Sequence, residues 1–204
     1  TRRQRQICIR DSDFGNNGPY YYDEDDGSLL DNKEVQKGTQ RELSMMEELK
    51  VATPVLRSSL PKKTKVWTTR WCRRKKADTV RCRLVVRQYK WIAGKSDVNF
   101  APTPGDEGIR ILLAVGLVEG DEFIPGDFSV AFMHTELTEE VYVVPPPEAN
   151  VPEGHVWKML KAVNGLQEAS RLFVDKLLRI CADLGFNTTR ANPVILKNNF
   201  SHVK

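Results

Sequence analysis

The chain has 204 residues, of which 40 % are hydrophobic and 28 % charged: enough for one sizeable core with an arm, cramped for two full domains. Mean hydropathy is −0.45 and the longest apolar stretch, Ile109 to Val118, is interrupted by Arg110, which excludes a membrane-spanning helix; four scattered cysteines and three histidines exclude zinc-finger spacing and favour reduced thiols. The net charge of +4 hides a segregation, since residues 1–60 carry 9 Lys/Arg against 11 Asp/Glu, residues 61–95 carry 13 against 1, and residues 96–204 carry 9 against 15.

The amino terminus, Thr-Arg-Arg-Gln-Arg-Gln, has neither a methionine nor an apolar signal core and reads as the start of a fragment. Residues 1–40 hold Gly-Asn-Asn-Gly-Pro, a tyrosine run and Asp23-Glu24-Asp25-Asp26-Gly27 with almost no periodic apolar face, the composition of a disordered acidic linker. From Arg41 to Lys50, Leu43, Met46 and Leu49 recur at helical spacing with Thr39 or Ser44 as candidate caps, predicting a short helix that opens a domain over 41–204.

Lys65 to Arg73 and Val80 to Lys90 predict two strands turned at Ala77-Asp78. This basic block contains Trp67, Trp71, Tyr89 and Trp91, so a folded hairpin fits it better than a basic tail. Ile109 to Glu119 predicts a helix ended by Gly120, Phe123 to Phe128 a short buried strand, Val141 to Val144 a strand stopped by three prolines, and His155 to Lys161 another strand. Glu168 to Leu184 is the clearest element, with Phe173, Leu177, Ile180, Cys181 and Leu184 in one stripe, Val174 and Leu178 beside it, and Gly185 at its end.

Asp127 is the first candidate for chemistry. It stands among apolar neighbours at the end of the Phe123–Phe128 segment, where a desolvated carboxylate needs a partner such as a divalent cation. A turn or helix-capping aspartate is the alternative for the same position.

The order of blocks supplies a resemblance. A basic hairpin with Arg-Cys-Arg-Leu-Val is followed by Phe-Ala-Pro, Ile-Arg, Asp-Phe-Ser-Val-Ala-Phe-Met, Glu-Leu-Thr-Glu-Glu-Val-Tyr-Val and Lys-Ala-Val-Asn-Gly-Leu-Gln-Glu-Ala-Ser-Arg. Over about residues 41 to 197 this resembles the reverse transcriptase domain of copia-type LTR retrotransposons, in its N-terminal fingers and palm portion. The implied fold is α+β: a fingers hairpin plus a partial right-hand polymerase palm, incomplete at the C-terminus and so expected to leave an apolar edge exposed.

The resemblance places further residues. Asp127 would be the first catalytic aspartate and a metal ligand, with the Phe128 carbonyl as a secondary ligand, in a site where the intact family holds two Mg²⁺ ions. Phe132 would press on the sugar of an incoming deoxynucleotide, or serve as a core phenylalanine. Arg81 and Arg83, on one face of their strand, would clamp a triphosphate or template backbone, or form a solvated basic face. Lys75 and Lys76 near the hairpin tip would share that work; in a non-catalytic nucleic-acid-binding reading of the same hairpin, Trp71 or Trp91 would stack on bases.

Gly165, Leu166 and Gln167 resemble the Gly-Leu-Lys-Gln segment that supports the nucleotide pocket, although Asn164, Glu168 and Ser170 replace the usual tyrosine, glutamine and proline. The family's Tyr-x-Asp-Asp hairpin, which brings the other two metal-binding aspartates, does not occur in the sequence.

The expectation is therefore a fragment of an RNA-directed DNA polymerase from a retrotransposon polyprotein, inactive alone. Its partners in the intact parent would be RNA or DNA template–primer, deoxynucleotide and flanking integrase and ribonuclease H domains. No membrane would be involved, and the location would be intracellular, in cytoplasm or nucleus. The alternative is a non-catalytic nucleic-acid-binding relic that uses the 61–95 hairpin. A third reading is an unfolded product of a decayed element.

Overall fold

The computed structural model describes residues 20–89, 101–190 and 192–198. Its elements are α1 (Asn32–Glu48), β1 (Ala52–Leu56), β2 (Val66–Trp67), β3 (Thr69–Lys76), β4 (Thr79–Val86), α2 (Asp106–Glu119), β5 (Glu136–Val143), β6 (His155–Lys161), α3 (Ala169–Asp183), β7 (Phe186–Thr188) and β8 (Leu196–Asn198). The α+β expectation holds. By internal contacts the chain forms two compact units, residues 1–44 with 71–83, and residues 45–70 with 84–204.

In the first unit, Asp23 N donates to Ser28 O at 2.8 Å and Leu30 N to Tyr21 O at 2.8 Å, with Gly27 at φ 74 allowing the chain to reverse. Asp31 then caps α1, its Oδ1 accepting the Glu34 N–H at 2.9 Å. The helix therefore starts at Asn32 rather than Arg41, and Thr39 is buried within it instead of capping it. Residues 20–40 are structured, a correction to the linker expectation.

The reason is tertiary. Leu30 and Val35 are too sparse to make a periodic stripe, but with Val80 and Cys82 of β4 they form a buried cluster, flanked by Tyr21 and Trp71. Gly38 of α1 lets the backbones approach: a Cβ there would lie 2.4 Å from Val80 O and 2.9 Å from Cys82 Sγ. Cys82 Sγ donates to Val35 O at 3.6 Å, and burial, as the leading influence, pushes its thiol pKa up.

In the second unit a four-stranded sheet runs in the order β1-β6-β5-β2. β1 pairs antiparallel with β6 (Thr53↔Lys158, Val55↔Val156), β6 antiparallel with β5 (Met159↔Val141, Trp157↔Val143), and β5 parallel with β2 (Tyr142↔Val66). Pro54 sits on β1, an edge strand, where a missing N–H is tolerated. Val51, Val143, Val156, Met159 and Val163 are buried, as are Leu84 and Val86 at the base of the β3–β4 hairpin.

Two further expectations are corrected. Phe123–Phe128 is irregular and exposed, not a buried strand: Pro125 and Gly126 interrupt it, and among the described residues no strand pairs with it. The α3 stripe is only partly covered, since Ala169 and Leu172 are buried while Phe173 and Leu177 are half-buried and Ile180 and Leu184 exposed. α2 is apolar on several sides, with Ile111, Leu112, Leu117 and Val118 exposed; Gly116, its buried residue, faces the Phe123 ring.

Candidate nucleic-acid interface and the Asp127 segment

β4 carries the basic side chains in strict alternation. Val80 and Cys82 point into the cluster, which turns Arg81 and Arg83 outward, Arg81 exposed and Arg83 half-buried. β3 and β4 form a two-stranded sheet turned at Ala77-Asp78, with Lys75 and Lys76 exposed beside the turn. Six Lys/Arg and one acidic residue lie between Trp71 and Arg83, so the tip carries net +5 in thirteen residues.

Trp71 is half-buried against the apolar cluster rather than standing clear as a platform. The Arg73 guanidinium lies 4.4 Å from the Tyr21 ring centroid and 5.9 Å from that of Trp71, so cation–π contacts hold the three side chains together. Trp91 lies outside the described residues.

The acidic turn docks on this hairpin. Asp23 Oδ2 accepts the Lys75 N–H at 2.6 Å, Glu24 N donates to Arg73 O at 3.0 Å, and Asp25 Oδ1 lies 3.3 Å from Arg74 Nε. The Lys75 and Asp25 N–H groups hold the buried Asp23 carboxyl below the ordinary aspartate range. The sequence registered these residues only as opposite charge blocks.

Within the second unit, the end of β4 is clasped by the turn before α3. Val86 N donates to Asn164 O at 2.9 Å, Gln167 N to Gln88 Oε1 at 2.9 Å, and Gln167 Nε2 to Gln88 O at 3.4 Å. Gly165, at φ 88, is required there because a Cβ would lie 2.1 Å from Val86 O. Gly165 thus lets the turn reach β4, while Gln88 as the partner of Gln167 carried no sequence pattern. Glu168 accepts from Thr138 Oγ1 at 2.9 Å and faces Arg171 at 3.8 Å, so its charge is locally compensated.

Asp127 is exposed in the irregular segment, not desolvated among apolar neighbours as its sequence context predicts. Phe128, 60 % exposed, meets Phe173 edge-on at 5.7 Å, and the half-buried Phe132 meets the same ring at 6.2 Å. Between them Val130 has φ 47, a strained backbone for a β-branched residue.

A family model described as reverse transcriptase (RNA-dependent DNA polymerase) matches residues 55–202, most of the chain. The chain belongs to that reverse transcriptase family. Searches of curated proteins and of solved structures give no match.

The matched span contains the basic hairpin, Asp127, Phe132 and the Gly165–Gln167 turn, and omits the acidic turn and α1. Among the described residues the donor set does not fit the divalent ions that the family implies. Asp127 is a single exposed carboxylate, and among the described residues no three His, Cys, Asp or Glu side chains are grouped to hold a metal ion. Asp127 and Phe128 alone do not make a two-ion site. Among the described residues no helix is long and apolar enough to cross a membrane.

Proposed function

We propose that the chain is the fingers and front-palm portion of a copia-type RNA-directed DNA polymerase from a retrotransposon polyprotein, and that it contributes nucleic-acid binding rather than chemistry. In the intact parent the reaction is template-directed nucleotidyl transfer beside integrase and ribonuclease H domains, within the cell. The observation that carries the reading is the β4 alternation, which anchors Val80 and Cys82 and presents Arg81 and Arg83 outward on a hairpin flanked by Lys75 and Lys76. Such a face suits phosphate oxygens, and Arg side chains can engage them bidentately.

The exposed Asp127 and the absence of a Tyr-x-Asp-Asp from the sequence support inactivity of the chain alone. Extension of a primed RNA template with deoxynucleotides and Mg²⁺ tests it. No extension is expected, and product that Asp127→Asn abolishes would overturn the inactivity. The exposure of Asp127 favours a second reading, a non-catalytic nucleic-acid-binding relic, which predicts the same binding and no gain of extension when the remaining family segments are supplied in trans.

A further inference from the structure

The tip of the hairpin is not bare. The turn Asp23-Glu24-Asp25-Asp26 carries four carboxylates in four residues and lies along β3, opposite a tip of net +5. Its attachment is specific: Asp23 is buried and accepts the Lys75 N–H, Glu24 N donates to Arg73 O, Asp25 pairs with Arg74, and Tyr21 stacks on the Arg73 guanidinium. The last three carboxylate-bearing residues are exposed, so Asp23 fastens the turn while the others project charge into solvent.

Resting on the nucleic-acid-binding reading above, we infer that this turn is an intramolecular competitor for phosphate, and that it attenuates binding of single-stranded RNA to the hairpin. A phosphate approaching Arg74 must displace Asp25, and one approaching the β3 side meets like charge at short range, where screening is weak. The contacts named above run to Arg73, Arg74 and Lys75, all on β3, the strand paired with the one that carries Arg81 and Arg83. RNA therefore binds through Arg81, Arg83 and the other cations outside the reach of the turn, and Arg74 adds its share only when the turn is neutralised.

The test measures binding of a labelled single-stranded RNA of about 16 nucleotides, long enough to cover such a site, over a range of salt. The triple variant Glu24→Gln, Asp25→Asn, Asp26→Asn keeps Asp23 and hence the Lys75 hydrogen bond. It is expected to bind about three- to tenfold more tightly at low salt, with a log–log salt slope steeper by about 0.7 for each phosphate gained. The variant Glu139→Gln, Glu153→Gln, Asp183→Asn removes the same charge from exposed positions of the second unit and is expected to change affinity much less.

Equal tightening in both variants overturns the inference in favour of a net-charge effect. So does an unchanged turn variant whose Lys75 amide shows the Asp23 bond intact, while Arg81→Ala with Arg83→Ala weakens binding; the binding reading then stands. No binding by any of the proteins overturns that reading and the inference with it.

Discussion

At Gly165 a single hydrogen decides whether the turn before α3 can reach β4. The residue has φ 88 and a Cβ would sit 2.1 Å from Val86 O, so Gly165→Ala combines a left-handed backbone with a clash against a carbonyl that is fixed in its strand. The expected loss is about 3 kcal/mol in urea unfolding, and a loss under about 1 kcal/mol would contradict the close approach. Asp23 makes a different prediction. Because N–H donors, Lys75 foremost, depress its folded pKa, the stabilisation is complete above the ordinary aspartate range and is lost as pH falls through the lowered value. The Lys75 amide shift followed by NMR should titrate with a midpoint below the ordinary aspartate value; a midpoint at or above it would contradict the bond. Gly165 was legible because its turn carries a family block, whereas Asp23 was not, its partner being a main-chain N–H 52 positions away.

Among the contacts that tie α1 to β4, that of Gly38 works against helix propensity. In an exposed helix Gly→Ala stabilises by about 1 kcal/mol. At Gly38 the added methyl would meet Val80 O at 2.4 Å, so Gly38→Ala is expected to destabilise by about 1–3 kcal/mol. A rise in Tm would contradict the packing of α1 on β4. The same contact explains why the start of α1 escaped the sequence. Periodicity reports a stripe, and Leu30, Val35 and Gly38 act through a partner that lies 40 or more residues away. Phe123–Phe128 shows the opposite error, for an apolar run reads as a strand but becomes one only with a neighbour to bond, and Pro125 and Gly126 work against that. Strands β4 and β6 were legible because alternation and turn residues are local.

For the whole molecule, the charge blocks gain a structural meaning. The basic block supplies a hairpin with one apolar and one cationic face, and the acidic turn counted in residues 1–60 lies against its tip. The order of blocks pointed to a reverse transcriptase, and the family match over residues 55–202 agrees. The surroundings of Asp127 were less legible. The apolar neighbours of Asp127 predict burial, but the segment that carries it pairs with no strand among the described residues and leaves the carboxylate exposed.

The central claim is that the hairpin face is the nucleic-acid-binding surface, and the salt dependence of single-stranded RNA binding tests it most directly. With about five phosphates engaged, log K should fall against log salt with a slope of about −3.5, and Arg81→Ala with Arg83→Ala should reduce it to about −2.1. Binding that is independent of salt, absent at about 50 mM salt, or of unchanged slope in the double variant would contradict the account.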